Sequence, residues 1–256
     1  MEGIGADCLG DISRSAKRAS ALFTRCAYGR KMHTTSQEPT TLTVGDRDEA
    51  VSRLRHYFGT CECASPDSGA EFETIGHPWD KKSKVTTVSP GDLVALATLT
   101  SPVPGPAAVW MLDKHNLKKT EKLLRKIPVK AKIGTKSGTK LLKDGGPAAK
   151  LWDHWSQAPG FGPVSVSKLL ARKRGKLVPA YGSVVAEQMD VGNPGEHWAA
   201  MQRLFTDGRR DLWVTAKQWR RAAGVDSLVS PLRVIDVVLW SRGTLPDGPP
   251  CATVRA

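Results

Sequence analysis

Apolar side chains recur every three to four residues along most of this chain, which is the period of an α helix. The first helix is predicted to begin at Asp46, where Asp46 and Glu49 have the spacing of a capping box. Further helices are predicted near residues 89–97, 106–112, 117–124, 148–155, 163–172, 193–205, 211–223 and 230–240. Between these helices, residues 59–88 are predicted to form a long loop with at most one short strand, at 72–75. Residues 130–146 are predicted to form a mobile basic loop. The pattern predicts an all-α fold.

The same pattern divides the chain into three parts. Residues 42–243 are predicted to form a single helical domain, followed by a flexible tail over 244–256. Residues 1–41 are interpreted as a disordered or mis-annotated extension, with Met32 as an alternative start. Within that extension, residues 12–36 combine Lys, Arg and Ser with no acid, a composition that also occurs in organellar transit peptides.

The composition bears on membrane association, cysteine chemistry and the roles of the tryptophans. No apolar run approaches the ~20 residues of a membrane helix, so no membrane association is expected. Five cysteines are scattered along the chain: Cys8, Cys26, Cys61, Cys63 and Cys251. Because they form neither a disulfide framework nor a zinc motif, we expect a cytoplasmic protein without metal or cofactor. Trp152, Trp155 and Trp240 are predicted core residues, and Trp79 is the better candidate for stacking on a base.

Charge adds a candidate function. The formal net charge is +13 and the pI is about 9.7. Residues 114–143, called the basic segment below, contribute +10, because Glu121 is their only acid. Four residues of this segment are predicted nucleic-acid contacts: Lys130, Lys132, Lys136 and Lys140. Lysine rather than arginine dominates, which favours contact with the backbone of a polyanion irrespective of sequence. The alternative is a lysine-rich surface that serves only solubility.

Residues 158–163 read Ala-Pro-Gly-Phe-Gly-Pro and separate two predicted helices, with the motif as a whole spanning residues 148–172. Gly160 and Gly162 can take positive φ or admit another backbone, and Phe161 can plug the turn into a core. The amides at Gly160, Gly162 and Val164 are predicted to hold one phosphate, and Phe161 is counted with them among the predicted nucleic-acid contacts. Five cations would extend that contact: Lys168, Arg172, Lys173, Arg174 and Lys176. The alternative is an ordinary helix C-cap followed by a new helix.

This stretch resembles the helix-hairpin-helix (HhH-GPD) DNA-glycosylase superfamily, whose members carry a Leu-Pro-Gly-Val-Gly turn, an Ala/Leu-rich helix and a loop ending in Val-Asp. The resemblance covers about residues 148–186, and residues 169–174 are also similar to an uncharacterised bacterial family of this type. By that resemblance the catalytic aspartate would fall on Gly182 and the lyase lysine on Val164. It therefore implies a DNA-binding scaffold that has lost the glycosylase chemistry.

Three functions follow as hypotheses. The first is a protein that binds a nucleic-acid backbone, DNA in the first place with RNA as the alternative, without catalysis. The second is a base-flipping DNA-modifying enzyme whose acid comes from elsewhere, with Asp236 as the candidate and Asp190 or Glu187 as alternatives. Asp236 could instead pair with an arginine such as Arg172 or Arg174. The third is a protein-interaction module in which the basic segment binds an acidic partner.

Overall fold

The computed structural model describes residues 46–62, 65–76, 86–207 and 211–249. All regular secondary structure in these ranges is helical, which confirms the all-α prediction. The α helices are α1 (Arg47–Phe58), α2 (Pro90–Thr98), α3 (Gly105–Leu112), α4 (Lys114–Leu124), α5 (Lys136–Leu142), α6 (Pro147–Trp155), α7 (Pro163–Lys173), α8 (Ser183–Gln188), α9 (Pro194–Asp207), α10 (Leu212–Ala222) and α11 (Pro231–Thr244), with one 3-10 helix at Ser68–Glu71. The predictions for residues 1–41, Trp79, Cys8, Cys26, Cys63 and Cys251 lie outside the described residues.

Short polar residues followed by proline begin two of the predicted helices. Ser89 caps α2 by accepting from the amide of Asp92, whose carboxylate accepts from the Ser89 amide in return. Ser230 accepts from the amide of Arg233 and so begins α11 at Pro231. Both helices therefore begin where the sequence predicts.

Helix α1 also begins as predicted, but its cap differs from the expected capping box. Asp46 accepts from the Asp48 amide. The carboxylate of Glu49 pairs with Arg53 at 2.8 Å and with Arg242 at 2.8 Å. Because these guanidinium groups engage Glu49, its side chain ties α1 to α11.

The prediction for residues 59–88 allowed at most one short strand, and none forms in the described part of that loop, whereas the prediction of a loop over residues 130–146 is wrong. Residues 72–75 form turns and not a strand, because the carbonyls of Phe72 and Ile75 accept from the guanidinium of Arg172 instead of from a neighbouring strand. The predicted loop over 130–146 contains helix α5, which Thr135 caps by accepting from the amide of Gly138.

The helices enclose two apolar cores. The first core surrounds α7 and is formed with α2, α3, α4 and α6, and it includes Trp155, Leu169 and Leu170. The second core lies between α1, α10 and α11 and includes Leu54 and Ile235. Helix α7 is thus buried around most of its circumference. Most of its charged side chains therefore lie against other parts of the protein.

Candidate nucleic-acid interface

The turn between α6 and α7, residues 156–162, has the predicted position. Gly160 has φ +73°, a conformation that favours glycine. Gly162 has φ −75° and is the N-cap of α7, so positive φ is not what requires glycine there. Phe161 is buried in the first core, so it plugs the turn as expected, and its ring is not exposed for the predicted nucleic-acid contact.

Helix α7 begins without a side-chain cap. Gly162 offers no side chain, Pro163 occupies the first turn, and no side chain accepts from the amides that follow. Val164, in that first turn, is exposed. Unpaired first-turn amides and the helix dipole favour an anion at this end of α7. This arrangement is compatible with the predicted phosphate contact at Gly160, Gly162 and Val164.

The cations that follow the turn do not form an exposed surface. Lys168 is buried and donates from Nζ to the carbonyl of Leu99 at 2.7 Å. Arg174 is buried and donates to the carbonyls of Leu124 at 2.6 Å and Ile127 at 2.7 Å. These two side chains cap the C-terminal ends of α2 and α4, which corrects their prediction as phosphate contacts.

Arg172 and Lys173 also face protein groups. Lys173 donates to Asp92 at 2.7 Å, and Arg172 lies 3.4 Å from the same carboxylate. Burial lowers the pKa of Lys173, and Asp92 opposes that shift. Both cations therefore fasten α7 to α2. Of the five cations predicted to extend the phosphate contact, Lys176 alone is exposed.

The basic segment, in contrast, presents its charges to solvent. All eleven of its cations are exposed: Lys114, Lys118, Lys119, Lys122, Arg125, Lys126, Lys130, Lys132, Lys136, Lys140 and Lys143. Within the described part of the chain, none of them forms an ion pair. Lys132 packs over the ring of Trp213, with Nζ 5.4 Å from the ring centroid.

Helix α4 carries its lysines on one side and its buried residues on the other. Lys114, Lys118 and Lys122 are spaced four residues apart, so they share a face. Thr120 and Leu124 are buried on the opposite face. The segment that the sequence describes as a charge run is therefore an amphipathic helix with an ordered row of ammonium groups.

Contacts with α6 place the first turn of α4 near the turn between α6 and α7. The ring of His154, at the end of α6, lies 3.3 Å from the carbonyl of Asn116, in the first turn of α4. One residue further, Trp155 donates to Thr120 at 3.1 Å. Helix α4 therefore runs along α6 and begins near the turn. Helix α5 packs on α6 as well.

The predicted contact residues form two groups. Gly160, Gly162 and Val164 lie at the N-terminal end of α7. Lys176 follows its C-terminal end, where its carbonyl accepts from the Ile133 amide at 2.9 Å and so brings it near Lys130 and Lys132. An α helix of this length spans roughly 16 Å. Lys136 and Lys140 lie on α5. The two groups could contact separate phosphates but not the same one.

Asp236 is buried, and its partner is Arg233 on the same helix rather than Arg172 or Arg174. Arg233 also donates to the hydroxyl of Tyr57 at 2.7 Å and lies 3.5 Å from the carboxylate of Glu73. Burial raises the pKa of Asp236. The cavity that Asp236 and Glu73 line measures about 10 Å³, which is the space of one water molecule. In this structure the site has no room for a nucleobase.

Burial raises the pKa of Glu73 to about 7. Sequence reasoning placed this residue in a loop and found no signal for it, because its burial depends on contacts with α7 and α11. The alternative acids Glu187 and Asp190 are exposed at the end of α8. Gly182 is the N-cap of α8, and a β carbon built there meets no atom within 4 Å.

Two further properties concern the described ranges alone. No three His, Cys, Asp or Glu side chains in them are close enough together to hold a metal ion. No helix in them has the length and apolar character needed to cross a membrane.

Comparison with known proteins identifies a family and no activity. No curated protein and no solved structure matches the chain significantly. The model of DUF6308, a family of unknown function, matches residues 50–243, which include every helix from α2 to α10 and most of α1 and α11. The chain therefore belongs to the DUF6308 family.

Proposed function

We propose that this protein binds the phosphate backbone of a nucleic acid, DNA in the first place, through the basic segment. The observation that carries the proposal is the exposure of all eleven cations of that segment with no acidic partner among the described residues. Cations already paired with carboxylates would have to exchange one partner for another. Unpaired cations release counterions from the nucleic acid directly, and that release provides the affinity.

The residue types support backbone contact rather than base reading. Ten of the eleven cations are lysines, and Arg125 is the exception. An ammonium group is a point charge that suits a phosphate. Bidentate recognition of a guanine suits the planar fork of an arginine better than the ammonium group of a lysine. We therefore expect affinity that depends strongly on salt and weakly on sequence.

The turn between α6 and α7 supplies a second contact in this proposal. The open amides at the start of α7 face solvent beside Gly160 and Gly162, and α4 begins close by. A backbone that follows α4 toward its N-terminus would thus reach the turn. The buried cations of α7 have no part in the contact.

The test compares two triple variants of equal charge change. In the α4 variant, Lys118, Lys119 and Lys122 become glutamine, and in the control the exposed residues Arg203, Lys217 and Arg221 become glutamine. Fluorescence anisotropy with a labelled duplex should show affinity at least about tenfold weaker for the α4 variant at low salt, since up to three phosphates are no longer neutralised. The control should weaken much less. Equal weakening, or no binding by the unmodified protein at low salt, would reject the proposal.

A further inference from the structure

Two stretches of the chain that meet at the turn between α6 and α7 contain no polar side chain. Residues 102–109 read Pro-Val-Pro-Gly-Pro-Ala-Ala-Val and residues 158–164 read Ala-Pro-Gly-Phe-Gly-Pro-Val. We call the exposed members of these two stretches the hairpin tip: Pro102, Pro104, Gly105, Pro106, Val109, Pro159, Gly160, Gly162, Pro163 and Val164. Exposed apolar residues that adjoin one another form a patch, and such patches are candidate binding sites.

The two stretches lie against each other. A β carbon built on Gly160 would be 3.4 Å from the Cγ of Pro104. The hydroxyls of Ser101 and Ser165, which flank the stretches, are 2.8 Å apart. These serines bond to each other, so the tip itself presents carbon. Val109, one turn into α3, is 75% exposed and extends the tip along that helix.

The basic segment borders the hairpin tip. Helix α4 begins two residues after α3 ends, and the contact between His154 and Asn116 holds its first turn against the end of α6. Lys114 and Lys118 are exposed in this part of α4. A polyanion attracted by these lysines would lie directly beside the apolar tip. Charge complementarity therefore selects the occupant of the tip.

We propose that the hairpin tip packs against the sugars and base edges of the nucleic acid that the basic segment holds. This inference rests on the proposed function. Apolar side chains make such contacts with thymine methyl groups, and in minor grooves they insert between base steps. The tip would add affinity that does not depend on salt, because no counterion is released when carbon is buried.

The test separates this apolar contribution from the electrostatic one. In the tip variant, Val109→Ala is combined with Val164→Ala. The control combines Val94→Ala and Val214→Ala, which replace valines 54% and 48% exposed on α2 and α10. Duplex affinity is measured over a salt series, and log K is extrapolated to 1 M salt, where the electrostatic contribution is small. Circular dichroism checks that each variant is folded.

We expect the extrapolated affinity of the tip variant to fall about tenfold, the order expected when one to two methyl groups are no longer buried in the complex, with an unchanged slope. The control should match the unmodified protein. Unchanged affinity in the tip variant, an equal decrease in the control, or a changed oligomeric state with unchanged affinity would overturn the inference. Absence of any binding by the unmodified protein would instead reject the proposed function.

Discussion

At the scale of single residues, lysine and arginine have two opposite uses in this molecule. Those of α7 and its C-cap residue Arg174 are buried or half-buried and donate to carbonyls or to Asp92, so they stabilise the packing of neighbouring helices. Those of α4 are exposed and pair with no acid in the described ranges. Local sequence does not distinguish the two, because both stretches are dense in positive charge. Position within the fold decides, since α7 lies inside the first core.

The buried pair between Asp92 and Lys173 gives a prediction on stability. Lys173 has a side chain only 1% exposed, so Asp92→Asn would leave an ammonium group buried without its carboxylate partner. We expect the free energy of unfolding to fall by about 3 kcal/mol, measured by urea denaturation. Asp48→Asn is the control, because Asp48 is 84% exposed in its pair with Arg47. A similarly small decrease in both variants would contradict the role assigned to Asp92.

Glu73 gives a prediction on pH. Its pKa is raised by burial from 4.5 to about 7, so the folded state binds a proton that the unfolded state has released between these values. Stability should therefore decrease as pH rises from 4.5 to about 7, by roughly 3 kcal/mol at most. Glu73→Gln, which resembles the protonated form, should remove this decrease.

The groups that face Glu73 are Arg233, Arg172 and Asp236. The buried ring of His197 contributes a slope of the opposite sign, because its pKa is lowered to about 4 and protonation destabilises the fold. The readout is therefore the difference between the Glu73→Gln variant and the unmodified protein across pH. Parallel pH profiles would show that Glu73 does not bind a proton on folding.

At the scale of elements, the sequence predicts the helices well and the loops less well. Ser89 with Pro90 and Ser230 with Pro231 mark helix starts by local chemistry, so both starts are predictable. The start of helix α5 is not predictable in this way, because its cap is Thr135, which lies within a stretch of Lys, Gly and Thr. Residues 72–75 resemble a strand in sequence but form turns. The carbonyls of Phe72 and Ile75 accept hydrogen bonds from Arg172, which lies 100 residues away from Phe72 in the sequence and is therefore invisible to local reasoning.

The turn between α6 and α7 allows its two glycines to be separated experimentally. Gly160→Ala should lower stability by about 1 kcal/mol, because φ is +73° and Pro104 limits the space for a β carbon. Gly162→Ala should lower stability by only roughly 0.5 kcal/mol, since φ is −75° and a β carbon would meet no atom within 4 Å, so that the poorer N-cap preference of alanine is the main cost. If phosphate approaches these amides, Gly162→Ala weakens duplex binding without unfolding the protein. Unchanged binding by this variant would make the turn purely structural.

The N-cap of helix α8 gives a prediction on glycosylase activity. Gly182→Asp places a carboxylate at an extended N-cap with open space, so stability should rise by a few tenths of a kcal/mol. Base release from uracil-containing or oxidised duplexes should stay undetectable for both proteins, because a carboxylate without a shaped pocket rarely catalyses. Base release by the unmodified protein that Asp236→Asn abolishes would overturn this expectation.

At the scale of the whole molecule, charge density is readable from the sequence and charge placement is not. Counting alone identifies the segment 114–143, and the structure adds that Lys114, Lys118 and Lys122 share one face of α4 while the opposite face packs on α6. The partner of Asp236 is also beyond local reasoning, because Arg233 is positioned by Tyr57 and Glu73 from distant elements. What the sequence could not predict depends in each case on packing between distant helices.

The most direct test of the account is the slope of log K against log salt for binding to duplex DNA. If the basic segment neutralises about six phosphates, the slope is near −5, and affinity falls by about 10³ between 50 and 200 mM salt. Replacing Lys118, Lys119 and Lys122 by glutamine should make the slope less negative by about 0.9 for each phosphate that the variant no longer neutralises. A slope near zero, or one that the three replacements leave unchanged, would contradict binding through the basic segment.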